Sequence, residues 1–236
     1  MVMSDTPRDR DLEILKRAWA LSPALHQLPS AAPEKALRAI EKRLGLPLPA
    51  DLRALYRVSD GPSLFLGNLN VYPTDARREI TLGRAADVFR DRGWPVPDEI
   101  LVFADDGAGS LYGIWTGAVA DPRFPSPPSP VVEIIESEED DALGLAATSL
   151  VRFLVFQTAL GALQAGGSDE VLAALDVPEY LRRMDPANPD LERLREWADP
   201  SLPRKVSDPY LGALDPEELK QILAGELRDR AEPTVH

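Results

Sequence analysis

The spacing of apolar residues changes twice along the chain, and these changes limit its fold more than any other feature of the sequence. Up to about residue 60 the apolar side chains recur at helical spacing, as Leu12, Leu15 and Trp19 do. Between residues 63 and 135 they alternate as in strands, and from about Ser149 the helical spacing returns. The sequence therefore predicts helices near both ends and a group of strands between them.

Start and stop signals divide these regions into elements. Gly45 suits the left-handed position after a helix, and Pro49 suits the first turn of the next one. The predicted helices cover residues 11–21, 30–33 to 45, 49–59, 85–92 and 149–166. The predicted strands cover residues 101–104, 111–115 and 131–135, with one or two short strands within 63–73.

The stretch LVFADDGAGSLYGIW (residues 101–115) contains three glycines and two adjacent acids. A dinucleotide-binding loop needs G-x-G-x-x-G before a helix. Here Gly107, Gly109 and Gly113 are one residue too far apart and precede a strand-like run. The stretch is therefore predicted to be two strands joined by a tight turn. At that turn Asp105 and Asp106 are expected to accept backbone hydrogen bonds, and too few further oxygen ligands surround them for a metal site.

The sequence has no cysteine and only two histidines, His26 and His236. Disulfides, thiolate metal sites and cysteine nucleophiles are therefore excluded. A histidine-based site would depend on His26, which is expected to be a loop residue. No catalytic residue, metal or cofactor is predicted.

The charge of the chain restricts its partners. It has 39 acidic and 26 basic residues and a net charge of −13. Such a surface repels nucleic acid and anionic membranes and attracts a basic protein, although solubility alone also accounts for it. No apolar run has the roughly 18 residues of a membrane helix. The first residues lack the pattern of a signal peptide, so a cytoplasmic location is expected.

Several short motifs occur in an order that resembles a known family. One helix ends at Leu44-Gly45, and the next begins at Leu48-Pro49 and ends at Ser59-Asp60-Gly61. Residues 103–109 then form an apolar run followed by Asp-Gly-x-Gly, and further pieces follow at residues 131–133 and 145–154. This order resembles the SUKH superfamily, the Smi/Knr-type domains, over residues 10–165. The chain departs from the family where Asp60-Gly61-Pro62 replaces the usual Asn-Gly.

The resemblance implies an α+β fold, in which a mixed, mainly antiparallel sheet is flanked by helices and 145–154 belongs to the last helix. It also implies a non-enzymatic protein, since the family is rich in immunity proteins that neutralise bacterial toxins. The predicted function is an immunity-type protein that occludes a basic toxin such as a nuclease. The alternatives are a regulatory or scaffold protein without a toxin and, third, a hydrolase that uses Asp105 or Asp106 with a metal.

The candidate contacts with a protein partner are acids on predicted turns and two aromatic residues. Tyr112 and Trp115 are three apart on a strand, so they face opposite sides, and one is expected to be an exposed anchor. The segment ESEEDD at residues 136–141 is too acidic to be buried and is expected on a loop at the edge of the sheet. The candidates are Asp60, Asp105, Asp106, Tyr112, Trp115, Glu138, Glu139, Asp140 and Asp141.

Residues 168–236 contain no strand pattern. They are predicted to form a helical C-terminal extension beyond the SUKH-like domain of residues 10–165. Two arrangements fit the sequence, an extension wrapped on the first unit and a loosely docked tail.

Overall fold

The computed structural model describes residues 7–116, 129–135, 143–165 and 169–202. Its helices are Pro7–Ala20 (α1), Glu34–Leu44 (α2), Ala50–Val58 (α3), Ala85–Asp91 (α4), Leu150–Gln164 (α5), Asp169–Ala174 (α6), Glu179–Arg182 (α7) and Leu191–Ala198 (α8). All five helices predicted before residue 167 are present. The first begins four residues earlier than expected, at Pro7, because proline is well suited to the first turn of a helix.

The described strands form one antiparallel meander. They are Ser63–Leu64 (β1), Leu69–Val71 (β2), Ile100–Asp105 (β3), Ser110–Trp115 (β4), Val131–Ile135 (β5) and Leu143–Ala147 (β6). Each strand pairs with the next one in sequence, so the spatial order is also the chain order. The predicted α+β fold is confirmed, and every described pair is antiparallel.

Strand β6 is the element that the sequence did not predict. Residues 145–154 were expected to belong to the last helix, but Leu143–Ala147 pairs with β5 and the helix begins only at Leu150. The segment LGLAA has no β-branched residue and is rich in good helix formers. It becomes a strand because β5 offers it an open edge to pair with, which is a tertiary effect that local propensity does not contain.

The sheet is covered on both faces in the described structure. Phe103, Tyr112 and Ile114 belong to a large core that also contains side chains of α1, α2, α3 and α5. Val102, Trp115 and other residues of the opposite face belong to a smaller core with Phe89 of α4. Neighbouring residues of the central strands are therefore both buried, which explains their nearly continuous apolar runs.

Helix α5 lies at the centre of the larger core. Its buried residues occur on all sides of the helix, from Leu150 to Leu163. One side contacts the sheet, and helices α1, α6 and α8 contact α5 elsewhere. A helix that is apolar all round needs such cover on every side.

Part of this cover comes from the predicted extension. Val171, Leu172, Leu181 and Leu194 are buried and belong to the same core as α1 and α5. The described residues 169–202 are thus wrapped on the first unit. The boundary at residues 165–168 stays a prediction, and most of the extension lies outside the described residues.

A buried carboxylate fastens the end of α8 to the start of α5. Asp199 is 3% exposed and accepts hydrogen bonds from the Thr148 backbone at 2.7 Å and from the Thr148 hydroxyl at 2.8 Å. The Ser201 hydroxyl donates to the same carboxylate at 2.9 Å. Arg152 of α5 adds a hydrogen bond from its guanidinium to the Ala198 carbonyl at 3.2 Å.

None of the helices in the described part of the chain combines the length and apolar character that crossing a membrane requires.

Replacing Asp199 tests this fastening. We expect Asp199→Ala to lower the free energy of unfolding by about 2–3 kcal/mol, because it leaves the buried Thr148 backbone N–H without an acceptor and removes the carboxylate from the Thr148 and Ser201 hydroxyls. Glu196→Ala, at an exposed position of the same helix, is the matched control and should have little effect. Urea unfolding of the full chain measures both. Equal midpoints for the two variants would contradict the role of Asp199.

Candidate functional site

The meander places alternate connections of the sheet at the same end. The β1–β2 connection lies at the start of β2, which pairs with the end of β3 through Asn70 and Asp105. The β3–β4 turn follows Asp105 directly. We call residues 65–68 and 105–110 the hairpin end of the sheet.

The ends of β5 and β6 belong to the same place. Ile135 pairs with Ser110, and Leu143 pairs with Ile134. The segment between them includes the predicted candidates Glu138, Glu139, Asp140 and Asp141, which lie outside the described residues. Ile135 and Leu143, which flank this segment, are therefore at the hairpin end. The predicted acids Asp105 and Asp106 lie at the same end.

Asp106 organises the β3–β4 turn. Its Oδ1 accepts hydrogen bonds from the backbone N–H groups of Ala108, Gly109 and Ser110, at 2.8 to 3.0 Å. Gly109 has a φ of 123°, a conformation that is open essentially only to glycine. The predicted tight turn with a capping aspartate is confirmed by these contacts.

Asp105 joins the two hairpins of this end. Its Oδ1 accepts from the Asn70 amide at 3.1 Å and from the Gly107 backbone at 2.9 Å. The same Asn70 amide donates to the Gly67 carbonyl at 2.8 Å. Asp105 and Asp106 are both partly exposed, so their charge reaches the surface while their position is fixed.

The tip of the β1–β2 hairpin exposes an apolar side chain in an unfavourable backbone conformation. Leu66 is 79% exposed and has a φ of 58°, and the preceding Phe65 has a φ of 50°. A left-handed conformation costs a residue other than glycine roughly 1–2 kcal/mol. Strain of this kind is concentrated at functional sites, and here it holds a leucine outward beside Asp105 and Asp106.

Two contacts hold the tip in place from below. The Phe65 ring packs on the backbone of α5 at Gly161, where an added Cβ would lie 2.2 Å from the ring. His26 packs edge-on against the same ring, with 4.5 Å between ring centroids, and its Nδ1 accepts from the Phe65 N–H at 3.4 Å. His26 lies in a loop as predicted, and burial lowers the pKa of its imidazole. The leucine is thus displayed by a rigid support.

The expectation of an exposed aromatic anchor at Tyr112 or Trp115 is wrong. The two side chains do face opposite sides of β4, but Tyr112 is 7% exposed and Trp115 is 1% exposed. Both are buried because helices cover one face and α4 with its flanking loops covers the other. Among the described residues of this end, the large apolar side chain that is exposed is Leu66 instead.

A buried carboxyl group lies beneath the turn. Glu133 of β5 is opposite Tyr112, is 5% exposed, and has hydrogen bonds with Ser110 and Tyr112. Burial raises the pKa of Glu133, the two hydrogen bonds and the charge of Arg195 partly oppose this rise, and the charge of Asp106 adds to it.

Asp60 is separate from the other candidates. Its Oδ1 accepts from the Thr74 backbone at 2.7 Å, and its Oδ2 accepts from the Thr74 hydroxyl at 2.8 Å. Thr74 follows the C-terminal end of β2, whereas the hairpin end lies at the start of β2. Asp60 therefore fixes a connection at the opposite end of the sheet.

The hairpin end has the properties of a binding surface. Within residues 7–116, 129–135, 143–165 and 169–202, no three His, Asp or Glu side chains are grouped so that they could hold a metal ion. Asp105 and Asp106 are occupied with backbone donors of their own turn. An exposed leucine flanked by fixed negative charges suits contact with a protein.

The family model of the SMI1 / KNR4 family (SUKH-1) matches residues 31–155, slightly more than half of the chain. The chain belongs to this family. The match begins before α2 and ends within α5, so it includes the described sheet and the hairpin end and leaves α1, α6, α7 and α8 outside. A comparison with curated proteins finds no match.

In this SUKH-1 domain the sequence predicted the acids of the hairpin end but not Leu66, Asn70 or the support by Phe65. The stretch SLFLGNLNVYP was interpreted as alternating strand with Leu66 as an ordinary member. A leucine directly before Gly67-Asn68, where a hairpin turn favours polar residues or glycine, was the one signal that could have revealed it.

Glu133 gives the SUKH-1 domain a measurable pH dependence. Its pKa in the folded state is raised above the ordinary value of 4.5, so the folded state keeps a proton that the unfolded state has released. Stability is therefore lost as pH rises from the unfolded pKa through the folded pKa. We expect Glu133→Gln, which does not ionise, to gain in melting temperature relative to the wild type over this window.

The comparison is made by melting both proteins from about pH 4 upward, the region in which an unperturbed glutamate titrates. Glu196→Gln, at an exposed site, is the control and should follow the wild type at every pH. A Glu133→Gln protein that becomes relatively less stable as pH rises would show that the carboxylate stabilises the fold, and the assignment would then be wrong.

Proposed function

We propose that this SUKH-1 protein is a non-enzymatic immunity protein, which neutralises a basic toxin by covering it with the hairpin end. The observation that carries the proposal is Leu66, which is 79% exposed in a strained conformation beside two fixed aspartates. A chain gains nothing in stability from such a residue, so its presentation favours contact with a partner. Family membership supports protein binding as the general class of function.

The proposed mechanism is occlusion. The acids of the hairpin end and the net charge of −13 attract a cationic surface and speed the encounter. Leu66 then enters an apolar pocket of the partner and slows dissociation, as a central anchor does. A toxin that acts on phosphate, such as a nuclease, offers the cationic groove that this surface would cover.

The second candidate function is a regulatory or scaffold protein that uses the same surface for a partner other than a toxin. The gene next to this one distinguishes the two, because an immunity gene is expected beside the gene of its toxin. A metal-dependent hydrolase based on Asp105 or Asp106 is the least favoured candidate, since both carboxylates already serve the turn. Elemental mass spectrometry of the purified protein tests it directly.

Leu66 allows stability and binding to be separated. Asparagine tolerates the left-handed conformation better than leucine does, so Leu66→Asn should unfold at the same temperature as the wild type or a higher one. The same change should weaken binding to the toxin domain encoded next to this gene by about tenfold or more, since it removes the anchor. Calorimetric titration measures the affinity.

The matched control for this experiment is Leu21→Asn. Leu21 is also an exposed leucine, at 44%, but it follows α1 and lies outside the hairpin end. Its replacement should not change the affinity. Equal affinities for the wild type and Leu66→Asn would rule out Leu66 as the anchor.

Charge at the hairpin end should control the rate of association. Asp105→Asn with Asp106→Asn keeps the side-chain oxygens that accept the turn hydrogen bonds and removes two negative charges. We expect slower association with the toxin domain and a weaker dependence of the rate on salt, since steering between charges is screened above about 0.1 M salt. Stopped-flow or surface-based kinetics at several salt concentrations give the rates.

The control pair is Asp91→Asn with Asp98→Asn, which changes the net charge equally in the connection between β2 and β3 at the other end of the sheet. If the control pair slows association as much as Asp105→Asn with Asp106→Asn does, the net charge and not this surface is responsible. A further variant neutralises Glu138, Glu139, Asp140 and Asp141 together. A rate that does not depend on salt would refute electrostatic steering altogether.

A further inference from the structure

A second surface of the molecule has the opposite charge. An open groove of about 670 Å³ lies between α2 and the connection that follows β2. A neighbouring groove of about 640 Å³ shares Pro33, Asp60 and Asp75 with it. The two form one elongated depression, which we call the α2 trough.

The lining of the α2 trough combines small or apolar side chains with cations. Small or apolar residues of α2 and the facing loop, namely Ala36, Ala39, Ile40 and Ala76, line one half. The cations Lys35 and Arg84 line the same half, and Arg78 lines the other. All three cations are exposed, and none forms an ion pair with another residue of the described chain.

Three acids line the trough, Asp60, Asp75 and Glu79, and each has a partner in the described chain, which for Glu79 is Arg92 at 2.6 Å. Both carboxylate oxygens of Asp60 accept hydrogen bonds from Thr74. Asp75 is paired with Arg77 at 2.7 Å, and the guanidinium donates to both carboxylate oxygens. The neutral Thr74 donors do not cancel the charge of Asp60, but five cations and three acids line the two grooves, so the lining as a whole is positive.

We propose that the α2 trough binds an acidic peptide segment of a partner protein in an extended conformation. Its length across two joined grooves suits a peptide chain better than a compact ligand, and its unpaired cations complement acidic side chains. A positive patch is unexpected on a chain of net charge −13, which otherwise repels acidic partners. The first groove lies at the end of β2 away from the hairpin end, whereas the second reaches Asn70, which also donates to Asp105. Lys35 and Arg84 line only the first groove, so variants at these two positions test this site separately from the proposed toxin contact.

The test uses the full chain and three fluorescent octapeptides, in which alanine alternates with glutamate, glutamine or lysine. Fluorescence anisotropy at about 0.15 M salt measures binding. We expect the glutamate peptide to bind at least about tenfold more tightly than the glutamine peptide, and the lysine peptide to bind more weakly still. The variant Lys35→Gln with Arg84→Gln should lose most of this preference.

The control variant is Lys16→Gln with Arg193→Gln, which removes the same amount of charge outside the trough. Equal losses in both variants would overturn the proposal, because they would show an effect of net charge only. Failure of the wild type to prefer the glutamate peptide would overturn it as well. So would full competition by free glutamate, which indicates a site for small anions, or tighter binding of a single-stranded oligonucleotide, which indicates a phosphate site.

Discussion

The burial of α5 is the constraint on which the rest of the described structure depends. Because its apolar residues occur on every side, it needs the sheet on one side and other helices around the remainder. Helices α1, α6 and α8 supply that cover, although they lie outside the part of the chain that matches the SUKH-1 family. The same helix provides Gly161, on which the Phe65 ring rests, so the position of Leu66 follows from the packing of α5.

The charge that a surface of this protein presents depends on the partners of each ionisable side chain more than on the positions of acids and bases in the sequence. At the hairpin end Asp105 and Asp106 are partly exposed and accept hydrogen bonds from backbone and amide groups, which are neutral and do not cancel a negative charge. In the α2 trough Asp75 is neutralised by Arg77, and other cations are left without such a partner. An acidic protein can therefore present surfaces of opposite sign at the two ends of one sheet.

Sequence rules for turns, helix ends and strands predicted the features that depend on neighbouring residues. The turn at Asp106 and Gly109, the helix that stops at Gly45 and the positions of most strands along the chain follow from short-range hydrogen bonding and backbone conformation. Strand β6 and the burial of Trp115 could not be predicted in this way, because each depends on contact with another element of the fold: β5 for the strand, and α4 for the tryptophan. Leu66 was missed for the same reason, since its conformation is imposed by contacts of Phe65 with α5 and His26.

The connection between β4 and β5 has a practical use. Trp115 and Val131 lie on either side of residues 117–128, which include four prolines. Both lie at the end of the sheet opposite Asp105 and Ile135. A fluorescent protein or an affinity tag inserted within residues 117–128 would be attached at points remote from Leu66. The fold thus offers a site for a genetically encoded reporter that leaves the leucine and its aspartates unobstructed.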